Sequence, residues 1–495
     1  MFKKIIVVLL FLGLGYLGGK YLFKDKEPIA MPSPNSMYRA SGGGEQGAGL
    51  IKEITGKILE VKDGESIQEA VKQAQPGDLI RVFPGTYKET VYIDKDDISF
   101  QGVIQNGEWP VLDGGKELND AFLYSGNGIR IENFKITKYK GNGVMGQAGN
   151  NFVIRNNWVI DTGVYGIFPQ YGKNGLIAHN VLSGIEDAAI YVGMCDNIDV
   201  INNEVFENVA GIEIENSRHC LVENNLTYNN TGGILAFITP GLPIKTTYDV
   251  IIRNNFISKN NHENFGAPGS IVSGIPPGTG ILVMAADDVM IENNIITGND
   301  NAGIIITDFE NGGAKASKDP NSEPNPDRIV ILDNLMFDNG NNPIGELKAL
   351  MMTQLSQKGP DILAIGKGTG SSIRSKDRYR TFGLGDYGTP QISTTNDVKS
   401  FLLEEPAKPR GVSDEDLGEM TYYGICSGCH AYDIRLIGVP INVIQMIYKD
   451  NPQGMVDYIN KPKNLRDDYP EMPPQDYLSD EAKLAVAEYI LAMKK

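Results

Sequence analysis

Histidine is scarce in this chain: four among 495, at 179, 219, 262 and 430. His179, His219 and His262 stand in no H-x-H or H-x-x-x-H spacing, so a histidine-built zinc or copper centre has no support. Cysteine is equally sparse. Cys195 and Cys220 are isolated. They could pair in an oxidising compartment, but the reading adopted is two buried small hydrophobes. Basic residues are outnumbered, 45 Lys and Arg against 62 Asp and Glu, a net charge of −17. That balance argues against nucleic acid and anionic membrane surfaces as partners. What the chain has in quantity is glycine, 57 residues, and asparagine, over a length that allows two or three domains.

The other two cysteines carry a motif. Cys426-Ser427-Gly428-Cys429-His430 is a C-x-x-C-H run, the attachment signature of a covalent haem c. Thiol redox and zinc sites also use C-x-x-C; the following His tips the reading to haem. Two thiols would bond the porphyrin and His430 would lie under the iron. Attachment of such a haem occurs outside the cytoplasm, so the motif also predicts an extracytoplasmic protein. A second iron ligand is offered 42 residues on by Met472, in Tyr469-Pro470-Glu471-Met472-Pro473-Pro474, where the prolines stiffen the loop. Met446 and Met455 are the alternatives, on helix faces where Met is ordinary core. Ser413 with Asp416 is spaced as a capping box for a helix leading to Cys426. Gly454 to Asn460 reads as a short helix. Ser479 caps a last one with Leu484, Ala487, Tyr489, Ile490 and Met493 on a broad apolar face.

Helix, C-x-x-C-H, helix, Met loop, helix over 411–495 resembles the class I cytochrome c fold. The resemblance implies Cys426 and Cys429 as haem anchors and His430 and Met472 as iron ligands. It also implies Pro440 as the residue whose carbonyl receives the proximal His N–H.

The larger part of the chain is repetitive. Short strands end in Asn at 133, 157, 180, 203, 225, 255, 294 and 334, which are 24, 23, 23, 22, 30, 39 and 40 residues apart. A period of 22–24 is one three-strand coil per repeat, with later insertions. Asn suits the turn because it tolerates the left-handed region and can hydrogen-bond to the Asn above. A second column follows: Gly166-Ile167, Ala189-Ile190, Gly211-Ile212, Gly233-Ile234 and Gly303-Ile304. With each Ile inward, alternation turns Phe168, Tyr191, Glu213, Leu235 and Ile305 outward, and then Gln170, Gly193, Glu215 and Phe237. So apolar an outer face implies a cover, either a loop or the C-terminal segment, or else a sugar platform or a dock for the haem domain. Together with the run Glu65–Ile93, these repeats resemble pectin-lyase-like right-handed parallel β-helices. They also resemble the periplasmic maturation protein of nitrous-oxide reductase and double β-helix proteins associated with a cytochrome-like partner.

The expected fold is therefore mainly β: a right-handed parallel β-helix solenoid plus a small all-α cytochrome c domain and an N-terminal transmembrane or signal segment. Residues 1–23, Lys3-Lys4 followed by an apolar run, read as signal peptide or membrane anchor, with the anchor favoured for lack of an A-x-A cleavage site. Residues 24–56 read as a flexible linker, 57–365 as the β-helix, 366–410 as a second linker and 411–495 as the haem domain. Three insertions, 239–249, 260–279 and 308–327, interrupt the coils; the first and third leave the same slot. The third is dense enough in oxygen ligands to suggest Ca²⁺, though it lacks EF-hand spacing.

Two functions follow. The first is a single-haem electron carrier, periplasmic or extracytoplasmic and tethered to the inner membrane by its N-terminus, which serves a redox partner protein and whose β-helix docks it to a partner or surface. The second is a polysaccharide lyase, hydrolase or epimerase with an accessory cytochrome domain, for which Glu186, Asp187, Glu213 and Glu215 are the available carboxylates.

Overall fold

The computed structural model describes residue 50 and residues 54–312, 319, 321–413, 415–464, 466 and 468–494. The apolar segment 1–23 and nearly all of the stretch to 53 lie outside them. Among the described residues no helix is long and apolar enough to cross a membrane.

From Ile58 the chain winds into stacked coils. Each coil gives one strand to each of three parallel sheets, of twelve, ten and eleven strands among the described residues. One coil runs Phe152–Arg155, Trp158–Ile160, Tyr165–Gln170. The next begins at Lys173–Ala178 and lies on the first in parallel, Ile154 opposite Ile177. Every second residue points inward, and the inner columns are aliphatic. Ile131, Ile154, Ile177, Val200, Val222, Ile252 and Ile291 form one, all buried. Val144, Ile167, Ile190, Ile212, Ile234, Ile281 and Ile304 form another. β-Branched side chains suit this because they stack on a pleated, fully buried surface. Register cannot slip by one residue without turning a whole column out.

The Asn-Asn pairs that set the repeat divide two tasks between their members. The first Asn of each pair takes the left-handed turn: Asn156, Asn202, Asn224, Asn254 and Asn293 have φ between 52 and 57°. The second is buried and forms a ladder. Asn157 donates its Nδ2 to the Oδ1 of Asn180 at 3.1 Å, Asn180 to Asn203 at 3.0 Å, Asn203 to Asn225 at 3.0 Å, and so on to Asn334. A second ladder, not anticipated from the sequence, lies five residues on: Asn208, Asn230, Asn260, Asn299 and Asn339.

The helix Ile67–Gln73, N-capped by Ser66, closes the first coil. At the other end the helix Gly345–Thr353 lies against the last turns. The stacking continues beyond 365, through Ser372–Ile373 and Thr381–Phe382. Residues 392–410 then run back along the outside of the twelve-stranded sheet as a strap. Arg253 donates to the Thr395 carbonyl at 2.6 Å, Asp199 accepts from the Phe401 amide at 3.0 Å, and Asn174 and Asn151 accept from the Leu403 and Ala407 amides. Ile392, Val398 and Phe401 pack on Leu221, Ile251 and Met290. The strap thus delivers the last 85 residues onto a different face of the solenoid.

Those residues form short helices: Leu417–Thr421 continuing through a π-helical turn, Tyr422–Cys426, then Ile441–Ile447, Pro452–Asn460 and Asp480–Ala492. Ser479 caps the last, accepting from the Ala482 amide at 3.1 Å. Ser413 meets Asp416 at 2.6 Å, side chain to side chain, one turn before the first helix. The first and last helices cross where Gly418 abuts the Ala485 carbonyl and Tyr489, leaving no room for a Cβ.

Candidate functional site

The outward face of the eleven-stranded sheet carries the columns anticipated from alternation. Phe168, Tyr191, Glu213 and Leu235 lie in one row and Gln170, Gly193, Glu215 and Phe237 in the next. Far from being exposed, every one of these residues is buried. Their cover is the C-terminal helical segment together with the 270–275 loop. Gln170 Nε2 donates to the Tyr423 carbonyl and to Ser427 Oγ, both at 3.0 Å. Gln147 donates to Tyr477 OH at 2.5 Å, and Lys140 pairs with Glu471 at 3.2 Å. Gly428, inside the C-x-x-C-H run, lies flat on Phe168; a Cβ there would sit 2.6 Å from the ring. The outward face is therefore a dock for the C-terminal segment, as one of the readings of that face held.

Beneath this roof lies a group of three carboxylates that burial changes strongly. Asp187, Glu213 and Glu215 come from adjacent coils and are 8, 1 and 3 % exposed. They line a small cavity with Tyr165, Tyr191 and Phe237, roofed by Gly428, Leu436, Ile437 and the Ser270–Val272 loop. Tyr165 and Tyr191 stack, centroids 4.5 Å apart and 9° from parallel. Glu213 Oε1 and Glu215 Oε2 are buried with no hydrogen-bond partner. Thr239 Oγ1 donates to the other oxygen of Glu215. With the roof in place the cavity has about 20 Å³ for the centre of a water molecule, space for one or two waters and not for a sugar ring. Glu186, grouped with these residues from the sequence, is exposed on the far side of its turn, within the field of Lys116 and Asp161.

Burial fixes the protonation of this group. Desolvation raises Asp187 well above the ordinary carboxylate value, with repulsion from Glu215 added; desolvation likewise raises Glu213, with repulsion from Asp187. Glu215 is pushed up to about 7, by desolvation against the lowering hydrogen bond from Thr239. The three titrate as a set, with at least one proton held at neutral pH. A stability signature follows. The folded state keeps the Glu215 proton up to about pH 7, whereas the unfolded chain releases it near its ordinary 4.5. Folded protein therefore binds more protons across that window, and stability falls as pH rises through it, by roughly 3 kcal/mol from this group alone. Glu215→Gln should match wild type near pH 4 and exceed it by about that much at pH 8, read from denaturant midpoints at both pH values.

Two of the residues predicted to hold haem meet in the helical segment. Cys426 and Met472 both pack on the cluster of Tyr422, Ile441, Met455, Val456, Ile459, Val486 and Ile490. Cys426 and Cys429 are unpaired, as are Cys195 and Cys220, which are buried. Met446 is exposed at 71 % and Met455 is core. His430 Nδ1 donates to a carbonyl at 2.7 Å, but the acceptor is Val439 and not Pro440. The reason is local: Pro440 is the N-cap of Ile441–Ile447, and its carbonyl accepts the helical amides of Val443 and Ile444. The bond fixes the imidazole with Nδ1 as donor and leaves Nε2 for a ligand. Gly438 makes room for the ring, since a Cβ there would lie 2.3 Å from His430 Cε1.

Elsewhere, His219 lies between Asp196 (2.6 Å) and Asp249 (3.6 Å) under Phe401. Among the described residues no three His, Cys, Asp or Glu side chains group to hold a metal ion. Carboxylates of the third insertion are engaged by protein donors: Asp308 by Asn311, Asp319 by Lys245 and Ser322, Asp327 by Thr369. Through Asp319, which also accepts from the Gly241 amide, the first and third insertions meet on one side of the solenoid, as their shared slot implied.

A family model for the right handed beta helix region matches residues 117–244 and 188–345, so the solenoid is a right-handed parallel β-helix. No curated protein matches the chain. Similar solved structures include an alginate lyase from Paenibacillus sp. str. FPU-7, 16 % identical over 58 % of this chain and 98 % of its own, TM-score 0.43. The A-module of the mannuronan C-5 epimerase AlgE4 of Azotobacter vinelandii is 14 % identical over 68 % and 92 %, TM-score 0.44. Pectate lyase Pel9A is 13 % identical over 71 % and 96 %, TM-score 0.32. The expectation of an electron carrier with a β-helix serving only as a dock is corrected. The β-helix has a buried carboxylate cavity of its own, which a passive dock does not require.

Proposed function

We propose that the chain is a polysaccharide-active β-helix enzyme that works by general acid–base chemistry at Asp187, Glu213 and Glu215, with residues 411–495 as an accessory cytochrome c-like domain. One observation carries the reading: two nearly fully buried glutamates, each with an unpartnered oxygen, line a cavity walled by stacked tyrosines. Unpartnered buried carboxylate oxygens cost stability and persist where function requires them. A set of carboxylates sharing protons supplies both an acid and a base at one pH. The protonated member gives its proton to a leaving oxygen and the ionised one takes a proton from the attacking group or the sugar. Tyrosine faces pack against the C–H faces of a sugar. A glycan reaches the site only when the roof formed by Gly428, Leu436 and Ile437 moves aside. The test is cleavage or epimerisation of polysaccharides by the full chain against Glu213→Gln. If no polymer is altered by the wild-type protein, the reading is wrong.

The accessory domain is proposed to hold one covalent haem c through Cys426 and Cys429, with His430 and Met472 as axial ligands. The residues fit the group: the imidazole is oriented by its Nδ1 bond, the thiols are free, and Cys426 and Met472 share one apolar cluster. When bound, a His/Met haem supplies one-electron redox chemistry. Purified protein should show a Soret band that survives acid–acetone extraction, and Met472→Ala should abolish the near-infrared iron–sulfur band. Persistence of that band would show that another residue is the ligand. The same reading puts the protein outside the cytoplasm, with segment 1–23 as its export signal or membrane tether.

A further inference from the structure

We infer that the glycan this site takes is uncharged, and that it is cut by water rather than by elimination. The inference rests on the polysaccharide reading above and narrows it. No Lys or Arg lines the cavity. Arg435, beside the roof, is turned onto the ring of Tyr469 at 3.8 Å and pairs with Asp468 at 3.5 Å. An anionic sugar would thus set its carboxylate against Asp187, Glu213 and Glu215 with no counter-charge in the lining, and placing like charges together without a partner is strongly unfavourable. Elimination from a uronate needs that carboxylate neutralised before the adjacent C–H proton can leave, and no residue lining the cavity supplies a cation. A neutral sugar has the opposite fit. Its hydroxyls are donors for the open oxygens of Glu213 and Glu215, and its ring faces match the Tyr165–Tyr191 stack.

The step balances without a further reagent. The protonated carboxyl gives its proton to the glycosidic oxygen, the anomeric C–O bond breaks, and a water oxygen bonds to the anomeric carbon. The ionised carboxylate takes that water's proton. One water is consumed per bond cut, and the carboxylates return to their starting state by proton exchange.

The full-length protein should be offered neutral polymers (mannan, xylan, β-glucan, fructan), uronate polymers (alginate, polygalacturonate) and chitosan in ¹⁸O-water. Products are read by mass spectrometry and by ultraviolet absorbance of unsaturated ends. The expected result is cleavage of a neutral polymer, one ¹⁸O per new reducing end, and a loss of roughly 100-fold or more in Glu213→Gln. Cleavage of a uronate polymer or of chitosan in preference, lost in Glu213→Gln, would overturn the substrate class and leave the site standing. No cleavage of any polymer would overturn the reading beneath it as well.

Discussion

Asp187→Asn is expected to lower kcat on the cleaved glycan by about 10²- to 10⁴-fold, the range for losing a positioned acid or base. The fold should be retained, because the amide has the shape of the acid and Asp187 lies at a coil turn where its backbone amide bonds to the Val164 carbonyl at 3.1 Å. A second effect separates a catalytic from a merely structural role. Desolvation holds Glu213 up most strongly, and the charge of Asp187 adds to it. Removing that charge leaves burial alone, so the proton on Glu213 should come off at lower pH. The alkaline limb of the residual pH–rate profile should then move down, whereas a packing defect would scale the whole profile without moving it. An unshifted limb would mean that Asp187 does not share the protonation equilibrium.

The repeat could be read from the chain because it is a local rule restated in every coil: an Asn pair every 22–24 residues, an inward Ile nine residues on, and outward neighbours by alternation. Those neighbours include Glu213 and Glu215. Asp187 and Glu186 were not separable, since they sit in a turn where strand parity does not say which carboxylate faces in. The second Asn ladder had a signal, a repeated offset of five residues from the first, as at Asn203 and Asn208 or Asn225 and Asn230. The strap was illegible for a physical reason. It is held by side chains of the sheet bonding to its backbone, such as Asn174 to the Leu403 amide, and that pattern leaves no mark on the strap's own composition. The roof is equally non-local: Gly428 and Phe168 are 260 residues apart in sequence and touch only because the strap returns the chain along the solenoid. Haem ligand types were legible from a motif, while the acceptor at Val439 rather than Pro440 depended on where one helix begins.

Asn203→Ala should be the costliest substitution among the exposed-looking Asn-Asn pairs, on the order of 3–5 kcal/mol. Its side chain donates to the Ile177 carbonyl (3.0 Å), the Ile201 carbonyl (3.1 Å) and Asn225 Oδ1 (3.0 Å). It accepts from both the backbone amide and Nδ2 of Asn180, each at 3.0 Å. Truncation strands the two Asn180 donors in a water-free turn, and each unsatisfied buried group costs about 1–3 kcal/mol. Asn202, its neighbour, supplies the control. It has φ 57° and a half-buried side chain, so its contribution is conformational. Asn202→Ala should cost only about 1–2 kcal/mol, because alanine lacks the short polar side chain whose local hydrogen bonding offsets the left-handed backbone, and Asn202→Gly still less, since Gly adopts that conformation freely. Denaturant unfolding of the three variants, followed by circular dichroism, gives the comparison. Because solenoids unfold by neighbouring units, the first transition is the one to read. Equal losses at 202 and 203 would mean that the turn's conformation, and not the ladder, holds the coils together.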